Sequence, residues 1–598
     1  MAQPVPDSIH LTAARFWRLL WDPAPGRSGY ALRMAGACAV VILVCEIWQV
    51  PESAVPALVT VAVWQKDRVT NVLAGVALNI LIALVILLLF GLVHLTLDHP
   101  MAIVVATALL SFLFFFLGSA SKLKPVAYLL ALVIVYAMIA IDQAPIGEVA
   151  TRALLYADLF ILVPGATMVV LGLLICPSPK TLLTQEIAAR LRLSLALLQH
   201  PTPALQEQAT DMLRTGADSM LKYLRLAGLE KIWRKDDLAC LHQAIYSSVA
   251  TLTLTQALTR GNRNIAPPQE FLLTLSEMAD CFSKGSYPID ITLPETPAEF
   301  AELRTILTQF CCFDTGQDIE RIEKSFKKKS GFLFPDAFTN PEHVRFAVKG
   351  TAAVMCSYFL FKVLNWPGIH TCVITCFIVA LPTMGEMVSK LTLRISGALV
   401  GGAMGIGSII VFMPHLHTIA AFLCMMSAGA LLASWVKTGD ERISYAGLQI
   451  ALAFFLSDLK SYGPTTDMTT ARDRIIGILI GNFITYAVFT TFWSSSAYTK
   501  LAKPFADIFA GLKQMCTTHN LTERLVLLAR TQTALAKAER TMEFASLEPA
   551  HMRAGMTHFN AYRAAARQVE QSLETLLVTP EDPAHLIRVT SLEQSVLS

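Results

Sequence analysis

The sequence predicts an all-α polytopic membrane protein of about 12 transmembrane helices, set out as two parallel six-helix repeats with a helical cytoplasmic domain after each. Three observations point there. Hydrophobic residues make up 54% of the 598 and charged ones only 16%, against about 25% charged in an ordinary soluble domain. The charges are also uneven: 13 fall in residues 31–175, 37 in 178–340 and 17 in 341–495. Finally, the polar segments carry apolar residues at helical spacing, such as Leu183, Ile187, Leu191 and Leu195, and show no strand alternation of any length.

In chain order this gives an interfacial cytoplasmic segment (1–30), a first transmembrane block (31–176) and a helical cytoplasmic domain (177–340). A second transmembrane block (341–495) and a helical cytoplasmic C-terminal domain (496–598) follow. No apolar run begins before about residue 31, so no cleavable signal is expected. Ser8 to Trp21 places Ile9, Ala13, Phe16 and Leu20 on one face, the pattern of a short helix lying at the membrane surface. The first block offers spans near 31–48, 54–64, 70–96, 101–118, 125–141 and 151–175. The second offers 345–364, 369–383, 389–412, 417–436, 443–458 and 472–494, and the second span of each block is short. The basic run at 325–330 suits contact with anionic lipid headgroups.

Lys and Arg in the short loops set the orientation. Lys66 and Arg68, Lys122 and Lys124, Lys390 and Arg394, and Lys437 and Arg442 mark one side as cytoplasmic, which puts both termini inside. The blocks also keep internal spacing: Trp48 to Tyr128 is 80 residues and Trp366 to Tyr445 is 79. Arg152 and Arg472 each follow a Pro-containing outer loop, which carries Pro145 in one block and Pro464 in the other.

Several function classes are disfavoured. A net charge of +3 is too near balance for a nucleic-acid partner, and the twelve cysteines, with no Cys-x-x-Cys pair, read as reduced. There is no P-loop, no His-Glu-x-x-His and no Gly-x-Ser-x-Gly. An enzyme, a cofactor and a bound metal are therefore not expected.

What remains informative is polar chemistry inside apolar spans, which is costly unless partnered or wetted. Asp158 stands seven residues into the sixth span and Glu46 near the outer end of the first, and with Asp473 they are the candidate proton-coupling carboxylates. Arg472, Arg474, Arg394 and Arg152 sit at span edges, where a guanidinium can bind a carboxylate bidentately. Trp366, His370 and Thr371 break the junction of the seventh and eighth spans, and Tyr445 and Gln449 share a face of the eleventh; these complete the candidate substrate contacts. Gly397, Gly401, Gly405, Gly477 and Gly481 recur every four residues, the spacing of close helix packing.

The second block carries a resemblance. Asp336 to Pro341, Arg345, Lys349, Trp366 to Cys372, Leu393-Arg394 with Gly397, Glu441-Arg442 with Tyr445 and Gln449, and Arg472 to Gly481 resemble the fusaric acid resistance and aromatic acid exporter superfamily, in particular its multidrug-efflux inner-membrane components. The resemblance implies a multi-pass exporter of the bacterial inner membrane that moves aromatic or organic acids or amphipathic drugs. It further implies use of the proton gradient and work with a periplasmic adaptor, or membrane fusion protein, and an outer-membrane channel. A homo-oligomer stays open. The plant malate channels, which resemble one six-span unit, make an anion channel the alternative, and a scaffold that recruits partners through its cytoplasmic helices is the third reading.

Overall fold

The computed structural model describes residues 13–597 apart from 22–25, 97–98, 123–126, 128–129, 132, 136, 140–146, 232, 261–266, 290, 294, 296, 327–330, 461–462, 554–555 and 579–582. Among the described residues the chain is almost entirely helical, and its only strands are the two-residue pair Leu459–Lys460 and Gly463–Pro464. Among the described residues eight helices are long and apolar enough to cross a membrane: Arg27–Ile47, Arg68–Thr96, Pro100–Ala120, Leu154–Ile175, Pro341–Val363, Met384–His415, Ile419–Lys437 and Met468–Thr491. The expected all-α, multi-pass class is borne out at this level. About half of the expected fifth span and the start of the interfacial helix lie outside the described residues; Ala13–Trp21 is helical.

The other expected spans are shorter. Ala54–Val63 has 10 residues and Thr371–Val379 has 9, after a 3-10 turn at Pro367–Ile369. At about 1.5 Å per residue each covers roughly half of a 30 Å hydrocarbon core. Pro382 ends the second, because a proline pushes the residue before it out of helical geometry. A helix ending within a bilayer leaves carbonyls without partners. Lys437 supplies one answer: its ammonium donates to the carbonyls of Val61 and Ala62. The eleventh expected span is the 18-residue helix Glu441–Asp458, which carries three charged residues.

The two membrane blocks are interleaved. Arg27–Ile47 packs on Ala54–Val63 and Gly147–Ile175, and likewise Pro341–Val363 packs on Thr371–Val379 and Met468–Thr491. Across the blocks, Arg27–Ile47 lies against Ile419–Lys437 while Pro341–Val363 lies against Pro100–Ala120. One apolar cluster joins Met34, Cys38 and Ala57 to Met426, Ala433 and Phe455. The other joins Phe114, Phe115 and Ile134 to Phe346, Cys372 and Phe377, with Phe115 stacked on Phe377 at 4.9 Å. Neither block buries its apolar faces alone.

Outside the membrane helices, the segments after the two blocks share one core. Leu191, Ile245 and Phe271 belong to the same buried cluster as Phe505, Leu528 and Leu576. Gln532 donates to Thr253 across that junction at 2.9 Å, and Arg260 pairs with both Glu570 and Glu574 at 3.0 Å. This shared body is tied to the membrane helices by two ion pairs, Arg68 to Glu230 at 2.7 Å and Arg442 to Glu543 at 2.6 Å.

Candidate functional site

Helices Met384–Val411 and Glu441–Asp458 run side by side in the same direction, because successive glycines of one meet successive turns of the other. A Cβ on Gly397 would lie 2.6 Å from the Ala446 carbonyl oxygen, on Gly401 2.4 Å from that of Ile450, and on Gly405 2.5 Å from the Ser457 side chain. Only glycine allows the backbones this close. Gly477 and Gly481 do the same for helix Met468–Thr491, which they bring against Thr371 and Cys372.

At the N-terminal end of the glycine seam Arg394 is 1% exposed. Its Nη1 donates to Gln449 at 2.9 Å and, more weakly, to the Tyr445 hydroxyl at 3.4 Å; Nη2 donates to Thr375 at 3.0 Å. Nε has no partner, and no carboxylate pairs with the guanidinium among the described residues. A buried donor left unmade costs about 1–3 kcal/mol, and a cation in hydrocarbon costs more. Close by, Gly481 faces Thr375, and the next residue, Asn482, is buried with both side-chain polar atoms unpartnered. The Thr371 hydroxyl is unpartnered too. Arg394 is thus a buried cation with one open donor, and the helix that packs on Thr375 carries a further unpartnered amide in Asn482.

A second grouping lies at the Trp366 junction. Asp473 accepts from the Trp366 indole at 3.0 Å and pairs with Arg472 at 2.9 Å, while His370 sits against the Pro367 carbonyl at 2.7 Å. Arg474 faces His370. The structure therefore brings Arg394, Tyr445 and Gln449 together, and separately Trp366, Asp473 and Arg472.

The remaining sequence candidates join neither group. Arg152 is exposed and pairs with Glu148 one turn away. Asp158 is half-buried and, among the described residues, has no ion pair. Glu46 accepts from Ser53 at 3.3 Å and lines a cavity of about 400 Å³ with His417, Thr418 and Thr466. Sequence reasoning passed over Thr375, Asn482 and Asp458. Asn482 carries the same signal as Gln449, an amide in an apolar run, whereas a threonine in such a helix carries none.

Residues 355–488, which hold this whole arrangement, match the family described as fusaric acid resistance protein-like. That stretch of the chain is therefore similar to the family. Multidrug resistance protein MdtO of Escherichia coli O6:H1 is 26% identical over 518 residues, covering 84% of this chain and 74% of that protein. The K12 strain's MdtO is 26% identical over 517 residues with the same coverage. A 184-residue stretch of Shigella flexneri MdtO is 35% identical, over 31% of this chain and 27% of that protein. No solved structure matches. The resemblance carried by the Arg394, Tyr445 and Gln449 motifs is borne out, and with it a multi-pass membrane protein.

Proposed function

We propose that this chain is an inner-membrane secondary exporter of aromatic or other organic acids, or of amphipathic drugs, and that it draws on the proton gradient. Arg394 carries the reading. A guanidinium buried among Gln449, Tyr445 and Thr375 with one donor open and, among the described residues, no counter-anion is a receptor for a small carboxylate. Asn482 and Thr371 add polar groups that a substrate would satisfy. Relatives named as multidrug resistance proteins support efflux.

In this reading Arg394, Tyr445 and Gln449 hold the acid. Trp366, His370, Thr371, Arg472 and Arg474 line its outer exit, with Arg152 in the first block. Asp158 and Glu46 are coupling carboxylates, and Asp473 is a third, held by Arg472. Twelve spans in two parallel repeats fit the matched packing of the first and seventh helices on the fourth and tenth of the opposite blocks. The termini and the shared helical body are placed inside, and a periplasmic adaptor with an outer-membrane channel completes the path. The domain limits at 30, 176, 340 and 495 belong to the same proposal.

The test is a strain lacking this protein, complemented with wild type or Arg394→Ala and challenged with fusaric acid, other weak aromatic acids and dyes. Wild type is expected to restore resistance to acids above all, and Arg394→Ala to fail at equal protein amounts. Resistance unchanged by Arg394→Ala would remove the site. A pH-independent ohmic current in liposomes would make the protein a channel instead.

A further inference from the structure

A second charged group lies roughly 20 Å along the same helix pair from Arg394, counting fourteen residues to Ser408 at about 1.5 Å each. Asp458 ends helix Glu441–Asp458 and is 0% exposed. Its Oδ2 accepts a 2.5 Å hydrogen bond from Ser408. Its Oδ1 lies against Gly405, where a Cβ would come within 3.3 Å, and has no partner among the described residues.

The charged groups around it are engaged elsewhere. Helix Met384–Val411 carries Glu386, Lys390 and Arg394, all in its N-terminal half, and Glu441 and Arg442 open Asp458's own helix. Lys437, at the C-terminal end of Ile419–Lys437, is bonded to Val61 and Ala62, and Ala54–Val63 holds no charge. On Met468–Thr491, Arg472 pairs with Asp473 and Arg474 faces His370. Lys460, two residues beyond, is taken by Asp467 at 2.8 Å. Among the described residues no cation fixes Asp458 in its charged form.

Its backbone lies beside residues that line a cavity. The Thr465 backbone N–H donates to the Asp458 carbonyl oxygen at 2.9 Å. The residues on either side of Thr465, Pro464 and Thr466, line the cavity of about 400 Å³ together with Glu46 and His417. Glu46 reaches the same turn, its Oε2 3.2 Å from where a Gly463 Cβ would sit.

We infer that Asp458 is a proton-binding carboxylate served from that cavity, with Ser408 as its positioning residue. A proton entering past Glu46 and Thr466 settles on Oδ1 and turns the carboxylate into a neutral carboxyl, while the Ser408 hydroxyl keeps hold of Oδ2. Because Asp458 and Ser408 sit on the two helices that also carry Gln449 and Arg394, the proton and the acid act on one glycine-joined helix pair. This last step rests on the exporter reading; proton binding at Asp458 does not.

Two measurements separate them. Full-length protein in liposomes is treated with N,N′-dicyclohexylcarbodiimide, which modifies protonated carboxyls in apolar surroundings, across a pH series, and the product is mapped by mass spectrometry. Asp458 is expected to be modified, with the yield falling as pH rises, and Ser408→Ala is expected to move the pH of half-modification. No modification at any pH, or a yield independent of pH, overturns the inference. So does a midpoint unmoved by Ser408→Ala. In cells, Asp458→Asn is expected to lose the pH dependence of fusaric acid efflux and Asp458→Glu to keep part of it; an Asn variant with wild-type pH dependence overturns the coupling of that proton to the acid. If wild type exports none of the acids, the exporter reading fails while the labelling still decides Asp458.

Discussion

The guanidinium of Arg394 and the side-chain amide of Gln449 meet at 2.9 Å on two helices joined by glycines, and nothing negatively charged meets them among the described residues. An apolar replacement at Arg394 should therefore separate stability from function. Replacing even a complete buried ion pair by well-packed apolar side chains is often neutral or stabilising, and an unpaired buried cation has its desolvation cost with no counter-charge to offset it. Arg394→Met is expected to hold or raise the melting temperature of the purified protein while resistance to aromatic acids is lost. Arg394→Lys should rescue poorly, because a point charge cannot make the forked contact. A lower melting temperature together with intact resistance would contradict both parts.

The glycine seam should tolerate no side chain. A Cβ on Gly401 would sit 2.4 Å from the Ile450 carbonyl, which is backbone and cannot swing away. Gly401→Val is expected to cost about 1–3 kcal/mol, the usual penalty of overpacking, read as a lower melting temperature and a smaller folded fraction in detergent. Gly407, which has nothing within 4 Å of its Cβ position, is the control.

Docking of the shared helical body should depend on pH through Glu543. Burial alone would raise its carboxyl, but its bonds to Arg442 and Arg540 outweigh that and hold it below the ordinary glutamate value. A depressed value means stability that is present above the unfolded glutamate's value and lost as pH falls through the lower folded one. Glu543→Gln should therefore lower the melting temperature at neutral pH, with the gap to wild type closing in strong acid. A gap that widens on acidification would refute the assignment.

Asp158, half-buried and without an ion pair among the described residues, can lose its charge without stranding a cation. Asp158→Asn is expected to keep protein amount and melting temperature and to lose proton-driven uptake into inverted vesicles. Undiminished uptake would remove it from the coupling path.

Orientation is checked by labelling. A cysteine placed at Pro414 should react with an impermeant maleimide from the periplasmic side, and one at Lys122 should not. Reversed labelling would invert the inside placement of both termini.

What the sequence made legible was polarity out of place. Arg394, Tyr445 and Gln449 stand out because an apolar span has no use for them, and the structure brings all three to one point. The two short apolar runs at 54–64 and 369–383 are also short as helices. Asp458 escaped notice because it falls at a span end beside Lys460, where a charge reads as a boundary; only the fold shows that Lys460 turns to Asp467. The common core of the two polar segments was hidden for another reason. Each segment's amphipathic helices look complete alone, and no periodicity says which apolar face meets which.

The interleaved membrane helices also constrain how the chain can be made. Arg27 packs its guanidinium over the Trp435 ring at 4.3 Å and donates to that residue's carbonyl, a partner 408 positions later. At about 5–20 residues per second, a ribosome needs roughly 20–80 s to cover that distance. For that interval the first helix is already in the bilayer with Met34 and Cys38 facing lipid or the insertion machinery instead of Met426 and Ala433. Synthesis thus passes through a long-lived half-built state that only the last spans can close.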